Sequence, residues 1–513
     1  MTIDPRIGQR FTVGFDGLTA PDYILDWLQK GRIGGIILFA RNVKDPQQLA
    51  ALTRSLHEAS PTPILIGIDQ EGGMVARLRQ SQGFTESPGA MALAATQDKL
   101  HDTEAVSRML ADEMRSLGIN WTYAPVLDLS YNADNPTVGT RSFGIDPQQV
   151  GELAAQATKG FQAGGVMACA KHFPGLGNTS IDSHLDLPSL DTPLDQLLEN
   201  DLVPYQHVID ANIASIMTTH TIYSALDSEH PATLSEHVIH NLLRKQLGYS
   251  GVVVTDCLEM HAISKHYGQG ESAVLGILAG VDILLISHTR SHQEAAFTAV
   301  DEAIQTGRIT QENLDAAYER IMAMKAQYAI DATAINPANV NTEAHKQLAL
   351  EVAKSAVSLA GQLPSLEGKR IGVIEFSSRR TSNVMEITDL TDLGHAIQNQ
   401  LSVEEIVSLH GADPTESHLS QAEALAARVD VLLVATRNAH SNPTQQQLAQ
   451  KFIKAAPESI LLALRNPYDV DVIQADTALC TFGDSAPSLE AAALALKGAY
   501  QPTGQRPATA KVG

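Results

Sequence analysis

Short apolar runs rich in β-branched residues recur through the N-terminal part of the chain, each bounded by polar or turn-forming positions. Eight can be marked: FTVGFD from Phe11, IGGIILF from Ile33, PILIGID from Pro63, WTYAPVLD from Trp121, VMACAKH from Val166, IASIMTTH from Ile213, GVVVTD from Gly251 and VDILLISH from Val281. Between them, DPQQLAALTRSLHEAS from Asp45, EAVSRMLADEMRSLG from Glu104 and SEHVIHNLLRKQLG from Ser235 repeat apolar residues at helical spacing, with polar caps or closing glycines. Strands alternating with helices imply parallel pairing through helical crossovers, and eight such units close a barrel. The expected class is therefore α/β, with a (β/α)8 TIM barrel at the N-terminal end.

Polar residues fall in a telling place. Asp16, Asp69, Asp128, Lys171 with His172, His220, Asp256 and His288 each lie at or just past the C-terminal end of a run, and in such barrels that rim carries the active site. After the eighth run, helical segments lead into AINPANVNTE, a Pro- and Asn-rich connection near 333–343. A boundary there divides the chain into a barrel over 1–340 and a second unit over 341–513. RIGVIEFSS, VDVLLVATRN, SILLALRNPYD and ALCTFGD read as buried strands of a smaller α/β sheet domain, and the tail QPTGQRPATAKVG is too polar for helix or buried strand.

Composition narrows the partners. A chain of 513 residues fits two cores rather than one. A net charge of -22 and pI near 5.2 describe an acidic surface that repels phosphate backbones and anionic headgroups, so neither nucleic acid nor membrane is an expected partner. Cys169, Cys257 and Cys480 stand far apart without CxxC spacing, which suggests neither a disulfide framework nor a zinc site. The opening MTIDPRIGQRFTVGFDG lacks the pattern of a secretory leader, and no run reaches spanning length, so the reading is cytoplasmic.

Asp256 ends GVVVT, so a strand projects its carboxylate from the rim with the fixity a nucleophile needs. Such a carboxylate can attack an anomeric carbon and form a glycosyl intermediate; alternatively it accepts a hydrogen bond from substrate or caps the next helix. The loop KHFPGLGNTSIDSHLDLP, from Lys171 to Pro188, places Asp182 and His184 two residues apart and on one side of an extended segment. A carboxylate on one imidazole nitrogen leaves the other free to exchange a proton, making His184 a candidate general acid and base; the plain alternative is a pair that closes the loop. Asp69 would accept from sugar hydroxyls, and Arg77, Arg141, Lys171 and His172 would donate, although a single arginine is more often a surface ion pair. His172, His220 and Asp256 could instead hold zinc, but no HxH or HExxH pattern accompanies them. The glycines come as IGG, EGG and AGG rather than GxGxxG, so neither a nucleotide cofactor nor a metal is expected.

GIDQEGGMVARL, GTRSFG, KHFPGLGNTSIDSH and GVVVTDCLEM, in that order, resemble the family 3 glycoside hydrolases and specifically their β-N-acetylglucosaminidase branch. The likeness covers roughly residues 5–340, and the remainder resembles the αβα sandwich of two-domain members. It implies Asp256 as nucleophile, His184 supported by Asp182 as acid and base, and Asp69, Arg77, Arg141, Lys171 and His172 around a terminal N-acetylglucosamine. Two positions depart from the pattern: Leu176, where a histidine is common after PG, and Met74, where an arginine is common after EGG. The implied activity is that of a retaining exo-β-N-acetylglucosaminidase on muropeptides or chitooligosaccharides. A phosphorylase using the same residues, a non-catalytic sugar-binding protein and a metal amidohydrolase are the alternatives.

Overall fold

The computed structural model describes residues 4–179, 187–376, 393–409 and 414–508. Eight strands, Phe11–Val13, Gly35–Leu38, Leu65–Ile68, Trp121–Thr122, Cys169–Phe173, Ser215–Thr218, Val252–Cys257 and Ile283–Ile286, form one parallel sheet; six lie within the marked apolar runs, and the fifth and seventh each extend one residue past theirs. In chain order they neighbour one another around the sheet, the first pairing with the eighth. Only single bridges, Trp121 to Met167 and Val126 to Lys171, join the fourth strand to the fifth. Pro125 has no N–H to give the ladder, which accounts for the brevity of the fourth strand.

Side chains alternate across this sheet as period two requires. Ile37, Leu65, Trp121, Met167, Met217, Val254 and Leu285 pack together inside the barrel. Ile36, Ile66, Ala168, Ile216, Val253 and Leu284 belong to the outer core under the helices. Burial on both faces is why the runs are mainly apolar rather than alternating.

The second unit is a six-stranded sheet of Ser358–Ala360, Ile371–Phe376, Glu405–Leu409, Val431–Thr436, Ser459–Ala463 and Ala478–Cys480. Numbered along the chain, their order in space is 1-6-5-4-2-3, and only the first runs antiparallel to its neighbour. Val373, Leu433 and Leu462 pack on one face beneath Leu489, while Ile374, Leu432 and Leu461 pack on the other beneath Leu425 and Phe452. Helices on both faces make this an αβα sandwich.

One-turn helices at Ala332–Ala334 and Pro337–Asn339 lead into helix Glu343–Ala356, where Val352 packs into the barrel core and Ala353 into the sandwich core. Buried Glu113 accepts from Asn341 N and His345 Nδ1, each at 2.8 Å, tying this connection to the barrel. Met91, Ala92 and Ala95 meet Tyr468, Phe482 and Ala508 in an apolar seam between the two units. Among the described residues no helix is long and apolar enough to cross a membrane.

Candidate active site

A cavity of about 360 Å³ opens at the C-terminal end of the barrel strands, and Asp69, Arg77, Arg141, Lys171, His172 and Asp256 all line it. Four separate segments of chain bring them there. Asp69 directly follows the third strand. Arg77 closes a tight ribbon of Gln70–Gly72 and Val75–Ala76, and Gln70 Oε1 pins it by accepting from Arg77 N at 2.9 Å. The ribbon turns at Gly73, whose φ is +58° and where a Cβ would stand 2.8 Å from the backbone of Gly89; only glycine suits both demands.

The fifth strand shifts register against the sixth between Ala170 and Phe173. A regular strand would send Lys171 and His172 to opposite faces, yet with the shift both line the cavity. The Lys171–His172 peptide bond is cis. A similar irregularity between Val254 and Cys257 contains Asp256, whose half-buried carboxylate accepts from Cys257 N at 2.7 Å.

Three cations and two carboxylates form the facing wall. Lys171 Nζ lies 2.8 Å from Asp69 and 2.7 Å from Glu71; Arg77 reaches Asp69 at 3.1 Å; Arg141 grips Glu71 through two bonds of 2.9 and 2.8 Å. Burial alone would raise Asp69, but Lys171 and Arg77 outweigh it and hold its carboxyl well below the usual range. Glu71 is likewise pushed by burial toward protonation and is brought down to about 2 by Arg141 and Lys171. Both carboxylates therefore stay ionised as acceptors, and burial fails to lower Lys171 because those carboxylates raise it.

His172 Nδ1 lies 2.7 Å from Asp128, whose other oxygen accepts from His172 N at 3.2 Å and Leu176 N at 2.7 Å. With Nδ1–H donating to the carboxylate, Nε2 is left for a bound hydroxyl. Behind this loop, buried Asp201 accepts from Tyr131 Oη at 2.6 Å, and burial with nearby Asp128 pushes it up to about 6. An unfolded aspartate titrates near about 3.9. Between these values the folded chain holds a proton that the unfolded chain has shed, so stability falls as pH rises through the window and the cost is complete above it. Asp201→Asn is expected to stabilise the protein by on the order of 2 kcal/mol at pH 8 and little at pH 4, read from thermal melts at both values; an equal effect at both would remove the titration from the account.

Other predicted positions fare differently. Asp182 and His184 lie outside the described residues. Asp16 points into solvent and pairs with Arg41 at 2.7 Å. His220 is fully buried, with Nε2 2.9 Å from Cys257 O and Nδ1 2.8 Å from Thr233 Oγ1. Among the described residues it forms no metal-holding group with His172 and Asp256. His288 does line the cavity, beside Phe39. Two residues were not singled out for a role: Glu71, although it sits inside the EGG motif, and Asp128, which belongs behind His172 rather than in the cavity.

A bowl of ionised acceptors and fixed donors at the barrel rim, with a strand-borne carboxylate to one side, suits a ligand covered in hydroxyls, and it places the chain among the barrel enzymes that process carbohydrate. A family model described as the glycosyl hydrolase family 3 N terminal domain matches residues 2–324. The chain belongs to that family and is a glycoside hydrolase. It is 32% identical over 459 residues to beta-hexosaminidase A of Pseudoalteromonas piscicida, covering 83% of this chain and 74% of the relative. A beta-hexosaminidase of Thiobacillus denitrificans is 38% identical over 270 residues, covering 52% and 73%. The solved family 3 beta-N-acetylglucosaminidase from Paenibacillus sp. str. FPU-7 superposes with a TM-score of 0.92 at 34% identity, covering 99% of each chain.

Proposed function

We propose that this chain is a retaining exo-β-N-acetylglucosaminidase, removing terminal N-acetylglucosamine from the non-reducing end of chitooligosaccharides or muropeptides, with Asp256 as nucleophile and His184, steadied by Asp182, as acid and base. The observation that carries the reading is one cavity in which Asp256 is held by its own strand opposite Asp69, Lys171, Arg77, Arg141 and His172. Beta-hexosaminidase relatives and the Paenibacillus enzyme supply the sugar.

Asp69 accepts hydrogen bonds from sugar hydroxyls, while Lys171 and His172 Nε2 contact the oxygens of the same ring. Asp256 then attacks the anomeric carbon from below as His184 protonates the departing oxygen, giving the free aglycone alcohol and an α-linked glycosyl ester. Water enters from the vacated face, His184 takes its proton, and displacement of Asp256 restores the β configuration. The 2-acetamido group has no displacement to perform, since the enzyme carries its own nucleophile.

Release of N-acetylglucosamine from an aryl β-N-acetylglucosaminide, against the matching glucoside, tests the sugar assignment. Turnover of the glucoside alone would refute it. Asp128→Asn weakens the hold on His172 and is expected to lower kcat/KM by about 10²-fold with little change in melting temperature. Wild-type kinetics in that variant would detach Asp128 from the site.

A further inference from the structure

We infer that a second cavity, between the barrel and the sandwich, is the aglycone subsite, and that it takes an uncharged hexosamine such as a further N-acetylglucosamine rather than an acid-bearing muramoyl group. The inference rests on the reading above of the main cavity as the site of the terminal sugar.

This second cavity, of about 220 Å³, shares Thr137 and Arg141 with the main one. The barrel contributes Met74 and the loop Ala133–Gly139; the sandwich contributes Asn438, His440 and Asn466, from the C-terminal ends of strands Val431–Thr436 and Ser459–Ala463. Contacts across the seam fix this wall. His440 Nε2 lies 3.0 Å from Ala133 O, and Tyr468 Oη donates to Ser130 O at 2.9 Å.

Its polar groups are those of an uncharged ligand. Asn466 is 5% exposed, and its Oδ1 has no hydrogen-bond partner among the described residues. A buried acceptor left that way is costly, and a sugar hydroxyl or acetamido N–H would satisfy it. Asn438 Oδ1 accepts from Asn466 N at 3.2 Å, which turns the Asn438 amide nitrogen to use as a donor. Met74 adds an apolar patch for a ring face.

Charge argues the same way. Among the described residues the cations lining this cavity are Arg141 and, when protonated, His440. Glu71 holds the first through two bonds, and Asp469 faces His440 Nδ1 at 3.0 Å. The remaining charged group is Asp134, an exposed carboxylate. A lactyl carboxylate would enter without a cation to receive it and beside an existing negative charge, on a chain whose net charge is -22.

The test compares kcat/KM on an aryl β-N-acetylglucosaminide, on di-N-acetylchitobiose and on the N-acetylglucosaminyl–muramic acid disaccharide, for the wild type, Asn438→Asp and Met74→Arg. The wild type is expected to favour chitobiose over the acid-bearing disaccharide by about tenfold or more. Asn438→Asp exchanges the donor for an acceptor and is expected to lose about tenfold more on chitobiose than on the aryl glycoside. Met74→Arg supplies the missing cation and should raise the ratio of acid-bearing to neutral turnover by about tenfold, a gain that misfolding cannot mimic. Wild-type preference for the acid-bearing disaccharide, or variants that change all three substrates alike, would overturn the inference. Failure of the underlying reading looks different: the wild type would release no N-acetylglucosamine from the aryl glycoside.

Discussion

Asp256→Ala is expected to reduce kcat on an activated aryl β-N-acetylglucosaminide by on the order of 10⁴-fold or more, while the thermal transition stays near that of the wild type. The side chain is half-buried, and among the described residues its carboxylate accepts from the neighbouring Cys257 N, so little of the fold depends on it. Truncation to alanine also vacates space beneath the anomeric carbon. Added azide is then expected to attack from that face and restore part of the turnover, yielding the α-glycosyl azide because only one inversion has occurred. A variant that keeps wild-type turnover, or a rescued product of β configuration, would remove Asp256 from the displacement.

The second large effect belongs to His184. His184→Ala is expected to lower kcat/KM by about 10²- to 10⁴-fold on glycosides with poor leaving groups, and far less on those whose phenol departs without a proton. The measurement is a series of aryl glycosides of graded phenol acidity. The plot of rate against leaving-group pKa should steepen in the variant. Asp182→Ala should steepen it in the same direction, because the carboxylate steadies the imidazolium that donates the proton. An unchanged slope, with all substrates losing equally, would reduce His184 to a structural element of its loop.

Much of this architecture was legible because the barrel strands are buried on both faces. Their runs, from FTVGFD to VDILLISH, are mainly apolar on both faces and end where the rim begins. In the sandwich, Ile371–Phe376, Val431–Thr436 and Ser459–Ala463 were legible for the same reason. Ser358–Ala360 and Glu405–Leu409 were not, since they are short edge strands with partly exposed residues that leave no such run.

In the site, strand-end position picked out the right neighbourhood but could not say where each side chain aims. Asp69, Lys171 and Asp256 turn inward; Asp16 turns out to Arg41, and His220 buries itself against Cys257 O and Thr233. Glu71 escaped because its meaning lies in Arg141, a partner 70 residues away that no local pattern reveals. Likewise the clasp of Tyr468 on Ser130 spans 338 residues, so the part played by the second domain beside the rim is a product of packing alone.

The central claim is net retention through Asp256 with water as the acceptor, and proton NMR of the first-formed product tests it most directly. Hydrolysis of an aryl β-N-acetylglucosaminide, followed from the earliest turnovers with and without inorganic phosphate, is predicted to yield free β-N-acetylglucosamine in both buffers, with the α anomer appearing only later through mutarotation. Initial release of the α anomer would contradict the double displacement, and a sugar 1-phosphate in the phosphate buffer would show that phosphate, not water, takes the sugar.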